Sequence, residues 1–162
     1  MNPLDRVFLA NPLADWAVAL AIAFGAAAVL LLARRLLARR FAAYARTTAT
    51  PVDDILAETL AATRWLFLIV VALYLGALYL TLPPGINRVV DGATVIAILV
   101  QAALWANRGV SAWLAHYLRE KRARDAAGAT TVAVLGFIVR VAVWALVALM
   151  ILDNLGVNIT AL

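Results

Sequence analysis

Apolar residues run along this chain in four blocks, which are separated by polar or basic stretches. The blocks cover residues 13–33, 65–82, 90–115 and 132–152. A helix that crosses a bilayer needs about 20 mostly apolar residues, and each block is near that length. The pattern therefore predicts an all-α membrane protein, a single transmembrane domain over residues 1–162 with four spanning helices arranged as two hairpins.

Polar and proline residues at the edges of the blocks predict where the helices begin and end. Asn11-Pro12 reads as an N-cap with proline at the first helical position of span one, and Pro83-Pro84-Gly85 reads as the stop of span two. The third block spans only if Arg108 extends its guanidinium to the interface. Thr50-Pro51 followed by acids predicts a short cytoplasmic surface helix, about residues 50–63, between spans one and two.

The amino-acid composition indicates that most of these apolar side chains face lipid. The chain has 66% hydrophobic and 14% charged residues, whereas a soluble domain has about half and a quarter. Cysteine is absent, which excludes disulfides and thiolate metal sites. The net charge of +5 is compatible with nucleic-acid binding. In so apolar a chain it favours contact with anionic lipid headgroups, and we expect no nucleic-acid partner.

The placement of basic residues predicts one orientation. Two connections are rich in arginine and lysine, the one between spans one and two and the one between spans three and four, while the opposite side holds Arg6 and Arg88. By the positive-inside rule both basic connections are cytoplasmic and the N-terminus is outside. The basic residues of the two connections are Arg34, Arg35, Arg39, Arg40, Arg46, Arg64, Arg119, Lys121, Arg122 and Arg124.

Small residues recur at every fourth position in spans one and two. Ala19, Ala23 and Ala27 form such a line in span one, and Ala72 and Gly76 form one in span two. Lines of this kind let helix backbones approach closely in lipid. The alternative is that alanine-rich membrane helices show this spacing by chance.

Residues that could carry chemistry are few. The single histidine, His116, has no second metal-binding side chain at useful spacing, and no nucleophile triad or phosphate loop is present. We therefore expect no enzyme, metal or cofactor. Arg140 is a charge inside span four, which is either functional or extends to the cytoplasmic headgroups. Together with Arg64 and Arg108 it is a candidate anchor that sets helix depth against lipid headgroups.

The last 23 residues, "RVAVWALVALMILDNLGVNITAL", carry the most specific motif. A helix ends near Asp153-Asn154, and Gly156 suits a left-handed position. Asn158 or Thr160 is the N-cap of a new helix that would start near residue 159. The stretch resembles the segment before the pore helix of the MscS-type small-conductance mechanosensitive channels, with its basic residue and its "L-x-N-L-G-[VI]-x-[IV]-T" turn. The matching positions are Arg140, Trp144, Leu152, Asn154, Leu155, Gly156, Val157, Ile159 and Thr160.

The resemblance implies a function and an assembly. It extends weakly to "NPLADWAVALAIA" and "RTTATPVDDIL". It implies a homo-oligomer, a heptamer in full-length members, in a bacterial inner membrane, where peripheral helices feel tension during osmotic stress and an ion-conducting helix follows. The turn at Asp153, Asn154, Gly156 and Asn158 would pass helix movement to that pore helix. Since the sequence stops at Leu162, we expect a sensor region truncated before the pore helix, non-conducting by itself. The alternative is a small non-conducting helical membrane protein acting as anchor or assembly partner.

Overall fold

The computed structural model describes residues 7–44, 51–122 and 126–157, and helices make up most of them. A small antiparallel hairpin comes first, in which Val7 pairs with Pro12 and Phe8 with Asn11. The elements are β1 Val7–Phe8, β2 Asn11–Pro12, α1 Leu13–Tyr44, α2 Pro51–Ala61, α3 Trp65–Ala77, α4 Pro84–Arg122 and α5 Ala126–Asn154. The helical class agrees with the sequence, and the hairpin is the element that it did not predict.

Three of the described helices are long and apolar enough to cross a membrane, namely Leu13–Arg40, Pro84–Ala115 and Thr130–Asn154. They contain the first, third and fourth predicted spans, as expected for a multi-pass membrane protein. The helix at the second predicted span, α3, has only 13 residues. Its length is about 20 Å at 1.5 Å per residue, against about 30 Å of hydrocarbon. The prediction of four spans is therefore not confirmed.

The boundary between α3 and α4 differs from the prediction. The regular helix ends at Ala77 and not near residue 82, and α4 begins at Pro84 and not near residue 90. The backbone N–H groups of Ile86 and Asn87 both donate to the Pro83 carbonyl at 3.0 Å, which closes the first turn of α4. Proline is favoured at the first helical position because its fixed φ suits a helix and its missing N–H is not needed there. The Pro-Pro pair therefore starts a helix.

Asn11 does not cap α1, so that prediction is wrong. Residues Asn11 and Pro12 form β2, and α1 begins at Leu13. The Asn11 side chain is only 2% exposed. Its oxygen accepts from the Thr81 backbone N–H at 2.9 Å, and its nitrogen donates to the Thr81 carbonyl at 3.0 Å. Asn11 therefore bonds to Thr81, 70 residues away, and not to the first turn of α1.

The short helix between the first two predicted spans is present as α2, Pro51–Ala61. Thr50, its expected capping residue, lies outside the described residues, and the placement of α2 on the membrane surface stays a prediction. The extended residue Arg64, with φ −77° and ψ 139°, separates α2 from α3.

The chain divides into two compact units. The first comprises Met1–Ala33 and Arg64–Ile98, and the second comprises Arg34–Thr63 and Leu99–Leu162. In the first unit α1 packs on α3, and in the second α2 and α5 pack on α4. Among the residues that the structure describes, the buried apolar ones are few and mostly small, as expected where hydrocarbon surrounds the helices. They are Ala19, Ala23, Leu68, Ala72, Ala103, Leu114 and Val147.

Candidate functional site

The two lines of small residues meet where α1 packs on α3. A Cβ atom placed on Gly76 would lie 2.5 Å from the Ala19 carbonyl oxygen and 3.0 Å from the Ala23 Cβ. Ala72, one turn before Gly76, is 1% exposed. The prediction that these lines permit close backbone approach is confirmed. Gly25 also belongs to α1 but not to the line of Ala19, Ala23 and Ala27, and a Cβ placed on Gly25 would meet nothing within 4 Å.

An apolar groove follows the contact between α1 and α3. It encloses about 180 Å³, and the Phe24 side chain beside it is 74% exposed. The direct contact is therefore narrow, and larger apolar side chains line the open space next to it. These side chains include Leu20, Phe24, Leu31, Ile69 and Leu73.

A second apolar groove lies between α4 and α5 in the second unit. It encloses about 530 Å³ and is lined by Leu99, Ala103, Val143 and Met150, among others. Farther along, a Cβ placed on Gly136 would lie 2.6 Å from a Leu114 methyl carbon. The two helices are thus in close contact at Gly136, while the groove lies toward the C-terminal end of α5.

Arg140 lies next to this close contact and bonds across it. Its Nε donates to the Gly136 carbonyl at 3.2 Å, and its Nη1 donates to the Ser111 hydroxyl of α4 at 3.4 Å. The Ser111 hydroxyl itself donates to the Asn107 carbonyl at 2.8 Å. Because Gly136 is one turn earlier, the guanidinium extends toward the N-terminal end of α5. That end carries the connection predicted to be cytoplasmic.

The other two candidate anchors have different surroundings. Arg108 of α4 lies 3.7 Å from a Glu58 carboxylate oxygen of α2, and both side chains are more than half exposed. A pair as exposed as this contributes at most about 1 kcal/mol. Arg64 is the exposed residue immediately before α3, and its carbonyl accepts from the Leu68 N–H at 3.4 Å. Arg108 and Arg140 share one unit, and Arg64 belongs to the other.

Two α4 side chains bond to the corner after α2. Gln101, 1% exposed, donates from Nε2 to the Ala62 carbonyl at 3.3 Å. The Trp105 indole N–H donates to the Thr63 hydroxyl at 3.0 Å. Because α2 does not continue through this corner, the polar groups of the corner need hydrogen-bond partners outside the helix. Gln101 and Trp105 supply such partners, which hydrocarbon cannot do. Gln101 and Trp105 thus join α4 to the corner that follows α2.

The end of α5 has the geometry that its motif predicts. Gly156 has φ +82°. Its N–H donates to the Asp153 carbonyl at 2.9 Å, and the Val157 N–H donates to the Leu152 carbonyl at 3.0 Å. This pair of bonds is the Schellman motif, which ends a helix at a left-handed residue. Asp153, Asn154 and Gly156 are exposed, and Asn158 lies outside the described residues.

Sequence reasoning missed Ser111 and Thr81 as partners. Ser111 carried a weak signal, because it lies four residues after Asn107 on one helix face and near the end of an apolar run. Asn11 and Thr81 both stand at the edge of a block on the side predicted to be outside, which could have suggested the pair. The side chain of His116 lies outside what the structure describes.

Comparison with known proteins adds no relative to this picture. No protein-family model matches the chain, and neither a curated protein nor a solved structure is significantly similar to it.

Proposed function

We propose that this chain is the membrane-tension-sensing transmembrane region of a mechanosensitive ion channel of the MscS type, in a bacterial inner membrane. The terminal motif supports the proposal, because the resemblance covers Arg140 and the turn after α5. The narrow packing of α1 on α3 is the observation that carries it.

The narrow contact between α1 and α3 suits a tension sensor because separating the two helices costs little free energy. Ala19 and Ala23 lie against Gly76, Ala72 is buried one turn before it, and exposed apolar side chains such as Phe24 lie beside this contact. Lateral tension favours the arrangement with the larger in-plane area, and a sensor contributes only through contacts that differ between two arrangements. When α1 separates from α3, the few close contacts between the two helices are lost and are replaced by contacts with lipid.

The four-span topology is part of the proposal, with α3 and the stretch after it forming the second crossing. Irregular backbone is tolerated at membrane depth only where its polar groups are satisfied. The N–H groups of Leu78, Tyr79 and Leu80 donate to helix carbonyls at 3.0–3.2 Å. Both backbone groups of Thr81 bond to Asn11. This bonding supports extension of the crossing beyond Ala77.

The arginines then have assigned roles. Arg64, Arg108 and Arg140 fix helix depth against anionic headgroups on the cytoplasmic side, and the N-terminus is outside by the positive-inside rule. The remaining donors of the Arg140 guanidinium are available to phosphate in addition to Ser111 and Gly136. The turn with Asp153, Asn154, Gly156 and Asn158 transmits movement toward a pore, in a homo-oligomer that is a heptamer in full-length members of the family.

Patch recording tests the proposal. The natural gene product that contains this region is expressed in spheroplasts without their own mechanosensitive channels, and suction is applied to the pipette. We expect suction-activated currents, and a lower threshold for Gly76→Ala but not for Gly25→Ala, since only the first substitution forces α1 and α3 apart.

Absence of suction-activated current, with the protein present in the membrane, would contradict the proposal. That result would favour the second candidate, a non-conducting anchor or assembly partner. The exposed apolar side chains of α5, such as Phe137, Ile138 and Val141, would then be its contact surface.

A further inference from the structure

The turn of the N-terminal hairpin has an unfavourable backbone. Leu9 and Ala10 connect β1 to β2, and both have positive φ, 48° and 64°. Two-residue hairpin turns with two left-handed residues normally use Asn, Asp or Gly, because a Cβ atom crowds the following carbonyl there. Neither leucine nor alanine has a polar side chain to offset the crowding. The turn is therefore held by something outside itself.

The Asn11 side chain supplies that hold. Its Nδ2 donates to the Leu9 carbonyl at 2.7 Å and to the Thr81 carbonyl at 3.0 Å. Its Oδ1 accepts from the Thr81 backbone N–H at 2.9 Å and from the Thr81 hydroxyl at 2.8 Å. These four bonds use the full capacity of an amide. One buried side chain thus fixes the strained turn and attaches it to the connection between α3 and α4.

The rest of the hairpin is held lightly. The Trp16 indole N–H donates to the Phe8 carbonyl at 3.0 Å, and the two rings lie 5.7 Å apart at 56°. Val7 and Phe8 are themselves more than half exposed. Within the part of the chain that the structure describes, the hairpin is held by the buried Asn11 amide and by the Phe8–Trp16 contact with α1, without an apolar core of its own.

We propose that residues Val7–Pro12 form a releasable latch that fastens the start of α1 to the connection between α3 and α4. The closed latch keeps Leu9 and Ala10 in left-handed backbone, so opening relieves strain. The Asn11–Thr81 bonds are the interactions that attach the hairpin to the connection between α3 and α4 and so oppose its release. Because α1 packs on α3 at Ala19 and Gly76, the latch restrains that helix pair at one end. The latch needs only the first unit, and it does not depend on the channel function proposed above.

Spin-label distances test the latch directly. The chain has no cysteine, so labels at Val7→Cys and Val89→Cys, both exposed sites, report the separation of hairpin and α4. Measurements on the full chain in lipid nanodiscs should give one distance. Asn11→Ala should add a longer population and raise the open-to-closed ratio at least tenfold. Asn87→Ala, which removes an exposed amide near the same connection, should leave one distance.

A second substitution tests the strain. Ala10→Gly in the Asn11→Ala background removes the Cβ crowding only in the closed state, so the open-to-closed ratio should fall about fivefold. An unchanged single distance in Asn11→Ala would overturn the latch, and a rise in the open population with Ala10→Gly would overturn the strain argument. If Asn11→Ala fails to fold, the test moves to Thr81→Val, which should open the latch partly, and to Ala10→Gly alone, which should not. Thr81→Val without a longer population would then reject the proposal.

Discussion

The contact between Gly76 and α1 leads to the sharpest prediction. Gly76→Ala would place a methyl group 2.5 Å from the Ala19 carbonyl oxygen. A flexible side chain could move away from the methyl group, but a backbone carbonyl inside a helix cannot. The only remaining response is for α1 and α3 to move apart.

The size of the effect follows from the distances. Ordinary Cβ contacts begin at 3.4 Å, so the backbones must separate by about 1 Å. A gap of about 0.5–1 Å forfeits a quarter to a half of the dispersion energy of each atom pair. Overpacking of this kind typically costs about 1–3 kcal/mol. Replacing glycine by alanine also stabilises a helix by up to about 1 kcal/mol through helix propensity. A control variant with the same replacement elsewhere in a helix cancels this contribution.

Gly25→Ala is the matched control, because Gly25 lies in α1 and a Cβ there meets nothing within 4 Å. Unfolding of both variants is followed by circular dichroism and tryptophan fluorescence during titration of mixed micelles with dodecyl sulfate. We expect Gly76→Ala to be less stable than Gly25→Ala by about 1–3 kcal/mol. Equal stabilities, within about 0.5 kcal/mol, would refute the close approach of α1 to α3.

Three further predictions test other parts of the structure. Gly156→Ala should cost about 1–2 kcal/mol from backbone alone, since φ is +82° and no atom lies within 4 Å of the new methyl group. Faster amide exchange at position 156 and at Val157 would show this cost, and unchanged exchange would argue against the Schellman motif. Gln101→Leu should destabilise the protein by about 1–3 kcal/mol because the Ala62 carbonyl loses its donor. Thr94→Val should cost less, since the Thr94 hydroxyl bonds within its own helix. Equal losses of stability in the same titration would contradict the role of Gln101. Arg140→Gln should raise the mobility of a spin label at Leu135 in vesicles with anionic lipid more than Ser111→Ala does, because we propose that the arginine also binds headgroups. The reverse order would assign Arg140 to helix packing only.

Features set by local sequence were the ones that sequence reasoning could predict. Gly76 and Ala19 follow from a four-residue spacing that any helix places on one face, and Gly156 follows from the steric rule for left-handed residues. The beginning of α2 at Pro51 follows from the fixed φ of proline. In each case the physical cause lies within a few residues of the feature.

Features that depend on distant partners could not be predicted. Asn11 lies 70 residues from Thr81, so its local reading as a helix cap was reasonable but wrong. The early end of α3 could not be predicted either, because the apolar run continues to Leu82 and does not reveal where regular hydrogen bonding stops. The Ser111 partner of Arg140 likewise depends on how α5 packs against α4.

We propose that the chain crosses the membrane four times, with α3 and the residues after it as the second crossing, and cysteine labelling tests this topology most directly. Single cysteines at Val7, Arg40, Ile86, Lys121 and Leu155 can be tested with a membrane-impermeant maleimide in intact and permeabilised spheroplasts. We predict that Val7, Ile86 and Leu155 react in intact cells, and that Arg40 and Lys121 react only after permeabilisation. If Ile86 needs permeabilisation while Lys121 reacts without it, α3 does not cross, and the four-span account is contradicted.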